Sequence, residues 1–281
     1  MKLAIIDQNS VYARSYFASQ SESELMAEEP SIQEVVNLAT HFALSLLDPT
    51  SSRIGQKFDA ILMAYDDGQK RDKGRAPKPP IYHDAMAAFR STFGALIGGA
   101  TVSVPGYEAD DVVATAAYRV PYSDEVYVVS GDKDLLQLVG SNIQYFDLRT
   151  KQLVSRTAIL ERWHVKRPCQ VALALAVLGD PIDKVPGVHG LGPKKVAKMF
   201  ELVTPDMNFN EALAAIESQL PAESVDVFYE SLDLTLLDAK VPGVPAPAPL
   251  RFTSFEEASK LISGRALMLW QELAEIYAKT G

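Results

Sequence analysis

The sequence predicts an α/β protein with a mostly parallel central sheet, helices on both faces, and a helical subdomain toward the C-terminus. Three observations predict it. Short apolar runs recur along the first half of the chain, and most end in acidic residues. Helical periodicities separate those runs, as expected where parallel strands are joined by crossover helices. Beyond Pro168 the strand pattern gives way to a helical one, interrupted by a glycine-rich turn.

Residues 3–6 form the first run, closed by Asp7, and residues 60–65 form the second, closed by Asp66 and Asp67. Residues 126–129 lead into Ser130-Gly131-Asp132. A fourth strand is expected at 101–104, shortly before Glu108, and a fifth at 143–146. Unbroken apolar runs of this length suit strands buried on both faces. Helices are expected over 31–47, 83–97 and 109–119. Parallel sheets gather ligands at the carboxyl ends of their strands, so acid-bearing strand ends predict one shared site. Residues 66–80, rich in Gly, Pro, Lys and Arg, read as an irregular connection.

Residues 170–178 are strongly apolar and are broken by Gly179-Asp180. A glycine-rich turn over 185–193 and a helix over 194–202 complete a helix-hairpin-helix pattern. Recurrent proline over 242–249 marks an extended connection. The end of the chain is helical, with Phe255, Leu261, Leu267 and Leu273 available for packing. The expected division is therefore an α/β unit over 1–165, with a helical arch or loop near 68–98, and a helical subdomain over 166–281 that includes the hairpin near 170–202 and the C-terminal helices.

With 281 residues, 47% of them hydrophobic, the chain can bury a sizeable core. Its 27 Lys and Arg against 36 Asp and Glu give a formal net charge of −9. That balance argues against a polyanionic partner, unless the acid is gathered in a metal-binding cleft where the cation enters the local field. One cysteine, Cys169, excludes an internal disulfide framework and a cysteine-rich zinc site. Asp7 interrupts the N-terminal apolar run, which speaks against a signal peptide, and no uncharged run reaches membrane-spanning length.

The acids carry the functional reading. Glu108 and Asp111 are three apart on an expected helix and look from one face, with Asp110 beside them. Acids at a helix N-terminus are mildly stabilising by themselves, which accounts for one or two of the three. Asp132 and Asp134 point to the same side of an extended segment, although Asp134 also suits a helix cap. Asp180 and Asp183 follow an apolar helix and a glycine. With Asp7 and Asp66 the candidates number nine. Carboxylates so concentrated resist joint ionisation unless a divalent cation is present. Hard oxygen donors favour Mg²⁺, with Mn²⁺ as substitute. Two such ions about 4 Å apart would grip the attacking and leaving oxygens of a phosphodiester displacement.

These motifs, in this order from Asp7 to about Phe200, resemble the 5′-nuclease superfamily of flap endonucleases, phage 5′-3′ exonucleases and the N-terminal nuclease domain of bacterial DNA polymerase I. Ile6-Asp7 with Arg14-Ser15-Tyr16-Phe17-Ala18 resembles the family's first metal aspartate and the arginine and aromatics after it. Asp66 matches its second strand-end aspartate. Gly106-Tyr107-Glu108-Ala109-Asp110-Asp111 and Ser130-Gly131-Asp132-Lys133-Asp134 match its internal metal motifs. Leu178-Gly179-Asp180-Pro181-Ile182-Asp183, with the glycine turn through Lys194, matches the last metal pair and the hairpin.

The resemblance implies a PIN-like sheet. It also implies that Asp7, Asp66, Glu108, Asp110 and Asp111 hold a first metal, and that Asp132, Asp134, Asp180 and Asp183 complete a second. Departures are Gln8 and Lys184, where relatives commonly have Gly and Asn, and the segment after Asp66. There Arg75 fits the family arginine, Lys73 is one position out of register, and the family tyrosine is missing. Lys73 or Lys78, with Arg75, is expected to touch the reacting phosphate.

The turn at Gly187, Gly190 and Gly192 is expected to offer backbone N–H groups to phosphate, helped by the helix start after it and by Lys194, Lys195 and Lys198. Arg14 is a further expected DNA contact. The resemblance implies K⁺ at this turn, on carbonyls such as those of Val185 and Val188. Tyr12, Tyr16 and Phe17 suit either base stacking or the core. The implied partner is DNA with a 5′ flap, nick or free 5′ end, and an RNA–DNA hybrid is admitted because backbone and shape are read. The expectation is a monomer, without membrane contact, in the cytoplasm of a bacterium or phage-infected cell. The rival readings are a PIN-type ribonuclease and a non-catalytic DNA-binding scaffold of the same fold.

Overall fold

The structure, a computed structural model, describes residues 1–26, 30–66 and 78–279. Five parallel strands make the centre of the sheet: β1 (Lys2–Asp7), β2 (Ala60–Ala64), β3 (Ala100–Val102), β4 (Glu125–Ser130) and β5 (Ile143–Asp147). Antiparallel β6 (Gln152–Val154) extends β5, and the short β7 (Ala248–Pro249) pairs antiparallel with β2. The order is β3-β2-β1-β4-β5-β6.

Side chains alternate across the pleat, and both faces are covered. Leu3, Ile5, Leu62, Val126 and Val128 pack on one face. Its cover is α4 (Ala109–Arg119), α5 (Arg156–Trp163), α6 (Val171–Leu178), α7 (Pro193–Met199), α8 (Phe209–Glu217) and α9 (Val225–Thr235). Ala4, Ile6, Ile61, Met63 and Val129 pack on the other face, under α1 (Gln8–Met26), α2 (Ile32–Leu47), α3 (Pro80–Ile97), α10 (Phe255–Leu261) and α11 (Gly264–Ala278).

Local signals set the helix limits. A capping box starts α2, in which Glu34 N–H donates to the Ser31 hydroxyl and Ser31 N–H donates to the Glu34 carboxylate. Pro80 opens α3, and Gly98 closes it at φ 61°. The five expected strands and the helices at 31–47, 83–97 and 109–119 are all present within a few residues of their expected limits. Helix α1 is not among those expected. Its serine-rich sequence hides a narrow buried stripe of Val11, Tyr12, Ser15, Tyr16 and Ser19.

Two expectations about organisation change. Within the segment 68–98, residues 80–97 form α3, whose Tyr82, Phe89, Phe93 and Leu96 lie in the core; the arch cannot extend over it. The boundary at 165/166 does not separate two cores either. α6 and α9 share one continuous core with α4 and the sheet. The chain then returns through β7 to the opposite face, where Trp270 Nε1 donates to the Leu96 carbonyl at 3.3 Å and Tyr277 Oη to that of Leu47 at 3.0 Å. Residues 248–279 thus belong with the α/β unit.

Candidate metal and nucleic-acid site

Strand register brings the acids together. Asp7 pairs with Ala64 across β1 and β2, and Ile6 pairs with Val129 across β1 and β4. Asp7, Asp66 and Asp132 therefore leave three adjacent strands at nearly one level. Glu108 is the N-cap of α4, and Asp110 lies in its first turn.

Each strand-end aspartate is fixed by donors from the backbone or side chains around it. Asp7, only 3% exposed, caps α1. Its Oδ1 accepts from Ser10 N–H at 3.2 Å, and its Oδ2 accepts from the hydroxyls of Ser10 at 2.5 Å and Ser130 at 2.6 Å. Asp66 Oδ1 accepts the Ala109 N–H at 2.7 Å, which ties the end of β2 to the start of α4. Asp132 Oδ1 accepts from Asp134 N–H at 2.9 Å in the 3-10 turn Lys133–Leu138. Tyr145 Oη donates to the Asp132 carbonyl at 2.7 Å. Across the cleft, Asp180 forms a reciprocal backbone bridge with Val185, both bonds at 2.9 Å, and its Oδ1 accepts from Ile182 N–H at 2.8 Å.

The acids feel one another. The Asp110 carboxyl is held well above the usual carboxylate range, by burial first and then by the fields of Asp132, Asp7, Asp134 and Asp66. Burial pushes Asp7 up to about 6 against its three hydrogen bonds, and Asp66 adds to the rise. Such a site is short of positive charge. Setting the nine candidate acids aside leaves 27 acidic residues against 27 Lys and Arg, so these nine account for the whole formal net charge. Setting aside only the eight other than Asp111 leaves 28 acidic residues against 27 Lys and Arg, a balance close to neutral.

The donors are hard oxygens, which fits Mg²⁺ or Mn²⁺. Among the described residues, no group of three or more His, Cys, Asp or Glu side chains already forms a cage for one ion. One cation stands among the second set. Lys133 Nζ contacts Asp180 Oδ2 and lies 3.3 Å from Asp183 Oδ2 and 3.8 Å from Asp134 Oδ1. Burial opposes its charge, but the bond to Asp180 and the fields of Asp134, Asp132 and Asp183 outweigh that and raise its pKa.

Several expected residues take other places. Asp111 turns to the far side of α4, where its Oδ1 accepts the Asp238 N–H at 2.8 Å. Gly187 is buried, its N–H donates to Ser231 Oγ at 3.0 Å, and a Cβ there would come within 2.5 Å of Gly179 N. Its amide is committed to the interior, so it is a close-packing glycine and does not offer an N–H to phosphate. Gly190 and Gly192 are exposed, and a Cβ on either would meet nothing within 4 Å. Lys194, Lys195 and Lys198 are exposed beside them, with Lys195 Nζ donating to the Gly190 carbonyl at 2.9 Å. The carbonyls of Val185 and Val188 each accept one backbone N–H, which leaves each a second lone pair.

Tyr12 and Tyr16 are core residues, whereas Phe17 is half exposed. Lys78 Nζ lies 4.7 Å from the centroid of the Phe17 ring. Arg14 is exposed, its guanidinium 5.8 Å from the Phe42 centroid. Lys73 and Arg75 lie outside the described residues. Sequence reasoning missed Ser10, Tyr145 and the role of Lys133. Ser10 was findable, because Asp7 three residues before it, at a strand-to-helix junction, is an N-cap pattern. The contacts of Tyr145 and Lys133 arise only from folding.

A sheet with acids at its carboxyl edge and a helical hairpin beside it is a fold shared with solved 5′-nucleases. A T5 protein co-crystallised with metal ions has a TM-score of 0.60 at 17% identity, covering 98% of this chain and 99% of its own. The catalytic core of Rad2 in complex with DNA substrate has a TM-score of 0.54 at 15% identity, covering 92% and 86%. At these identities the likeness is one of fold. The family comes from sequence: the model of the 5′-3′ exonuclease N-terminal resolvase-like domain matches residues 2–164, and the chain belongs to that family. Thermostable DNA polymerase I of Thermus thermophilus is 27% identical over 238 residues, 84% of this chain and 28% of that protein. A 5′-3′ exonuclease of Aquifex aeolicus is 32% identical over 131 residues, 44% of this chain and 42% of that one. The chain thus matches less than half the length of these curated relatives. Among the described residues, no helix is long and apolar enough to cross a membrane.

Proposed function

We propose that the chain is a divalent-metal-dependent 5′-nuclease that hydrolyses DNA phosphodiester bonds at a 5′ flap, nick or free 5′ end. The observation that carries this reading is the crowding of Asp110 by acids from three other strand ends, Asp7, Asp66 and the Asp132–Asp134 turn. Asp7, Asp66, Glu108 and Asp110 would hold one Mg²⁺ or Mn²⁺, and Asp132, Asp134, Asp180 and Asp183 a second. When bound, the pair supplies an activated water and stabilises charge on the leaving 3′ oxygen.

The chain's own groups place these donors. Ser10 and Ser130 orient Asp7, the Ala109 amide orients Asp66, and Tyr145 anchors the backbone of Asp132. Lys78, with Lys73 and Arg75, is proposed for the scissile phosphate. Lys194, Lys195, Lys198 and the open turn at Gly190 and Gly192 are proposed for the duplex backbone, with K⁺ on the Val185 and Val188 carbonyls and Arg14 as an outlying contact. Such contacts read shape and not sequence, so an RNA–DNA hybrid is a further substrate to test.

Cleavage of labelled double-flap, nicked and blunt DNA under Mg²⁺ titration tests the reading. We expect metal-dependent products, abolished by EDTA and by Asp132→Asn. Cutting at the flap junction identifies a flap endonuclease, and single-nucleotide release from a 5′ end an exonuclease. DNA binding without cleavage in Mg²⁺ or Mn²⁺ overturns the nuclease reading in favour of a scaffold.

A further inference from the structure

Lys133 sits between two acids in sequence, Asp132 and Asp134, and in space meets the second pair, Asp180 and Asp183. Its ammonium touches Asp180, lies 3.3 Å from Asp183 and 3.8 Å from Asp134, and its side chain is 20% exposed. Three carboxylates from two separate parts of the fold thus share one monovalent cation. Those are three of the four acids assigned above to the second ion.

We propose that Lys133 is an internal place-holder for that ion. In the metal-free protein its ammonium holds Asp180 and Asp183 toward the Asp132–Asp134 turn. When a divalent ion enters, the ammonium swings out to solvent.

The backbone and the side chain of Lys133 differ in the way this exchange needs. The backbone is pinned on both sides, by Tyr145 on the Asp132 carbonyl and by the Asp134 amide on the Asp132 carboxylate. The side chain has four rotatable carbons and ends near the surface. A doubly charged ion close to an ammonium is strongly repelled, and so is one close to another divalent ion. The acids therefore exchange one cation for another and do not hold both. The second ion should thus bind with an affinity lowered by the Lys133 contacts it must displace. Lys133 would make completion of the two-ion site depend on an additional ligand, and a phosphate bridging both ions is the chemistry that supplies one. No bond is made or broken in this exchange.

The proposal rests on the metal-site reading above, and its test separates the two. Mn²⁺ binding to the DNA-free protein is measured by isothermal titration calorimetry for wild type, Lys133→Met and Lys133→Arg, with melting curves to confirm folding. The expected result is two classes of site in wild type, with the weaker class tightened on the order of tenfold in Lys133→Met and unchanged in Lys133→Arg. A weaker class that is unaltered or loosened in Lys133→Met overturns the place-holder. Absence of Mn²⁺ binding in wild type overturns the metal site itself. If Lys133→Met does not fold, acylation of wild-type lysines by an amine-reactive ester, mapped by mass spectrometry, decides. Lys133 should be protected without metal and modified faster with saturating Mg²⁺, and an equal or slower rate overturns the proposal.

Discussion

The carboxylate of Asp111 accepts the backbone N–H of Asp238 at 2.8 Å, joining the first turn of α4 to a segment 127 residues later. The contact is one of a series. Thr115, one turn on, accepts from Val241 N–H at 3.0 Å and donates to the Asp238 carbonyl at 3.3 Å. Arg119, a turn further, donates to the carbonyls of Val241 and Val244, both at 3.0 Å. Residues at i, i+4 and i+8 lie on one helix face, so a polar stripe of α4 holds the turn-containing segment 238–244 that leads from the helical region back to the sheet. Asp110, about 100° round the same helix, feels the fields of Asp132, Asp7, Asp134 and Asp66.

The contact with Asp238 gives Asp111 a structural role. Asp111→Ala should lower unfolding stability by about 1.5–3 kcal/mol, the range for a hydrogen bond to a charged group, while Mn²⁺ binding by the folded protein stays as in wild type. Denaturant unfolding and calorimetric titration check the two halves. Lost metal affinity with unchanged stability would return Asp111 to the ligand set.

The glycines of the hairpin should separate in the same way. At Gly187 a Cβ would meet Gly179 N at 2.5 Å and Gly179 Cα at 2.6 Å, backbone atoms that cannot step aside. Gly187→Ala should cost at least about 3 kcal/mol, through steric overlap added to the left-handed φ of 66°. Gly190 has a similar φ of 78° with open space around it, so Gly190→Ala should cost only about 1 kcal/mol. Equal losses in thermal melts would show that the two backbones are not packed as described.

Much of this was legible before folding. Apolar runs, most of them ending in acids, located all five parallel strands, and the pleat then fixed which end carried Asp7, Asp66 and Asp132. Pattern reading failed where partners are distant in sequence. Asp111 looked like Glu108's neighbour on a helix face, and only the return of residues 238–244 shows which way it turns. Gly187 looked like Gly190, and only Gly179 behind it tells them apart. Helix α1 was hidden because serines sit on its buried stripe, where Ser15 and Ser19 donate to backbone carbonyls and satisfy themselves within the helix.

A polar group without that local solution is Gln8. It is fully buried, and among the described residues neither its Oε1 nor its Nε2 has a hydrogen-bond partner. Burying an amide unpaired costs about 1–3 kcal/mol, and methionine has nearly the same shape without that demand. Gln8→Met should therefore raise unfolding stability by about 1 kcal/mol or more. A loss of stability in urea would mean that an ordered water already serves the amide.

The acids themselves should make stability depend on pH when no metal is present. Asp7 titrates near 6 in the folded protein, above its ordinary 3.8, and the Asp110 carboxyl is raised as well. A carboxyl whose folded pKa lies above its unfolded one binds its proton more tightly when folded. Its contribution is therefore most favourable below pH 4, is lost as pH rises toward 6, and stays lost above. For Asp7 the loss is at most about 3 kcal/mol. The lowered carboxyls, Glu34, Asp48, Asp206 and Glu257, act in the opposite sense, but only as pH falls below their ordinary range. Lys133 titrates far above this window. In EDTA the melting temperature should thus fall between pH 5 and pH 7, and saturating Mg²⁺ should flatten or reverse the slope by stabilising the ionised acids. A metal-free melting temperature that rises across this interval would show that the acids are not crowded, and would remove the electrostatic reason for the site to take up a divalent ion.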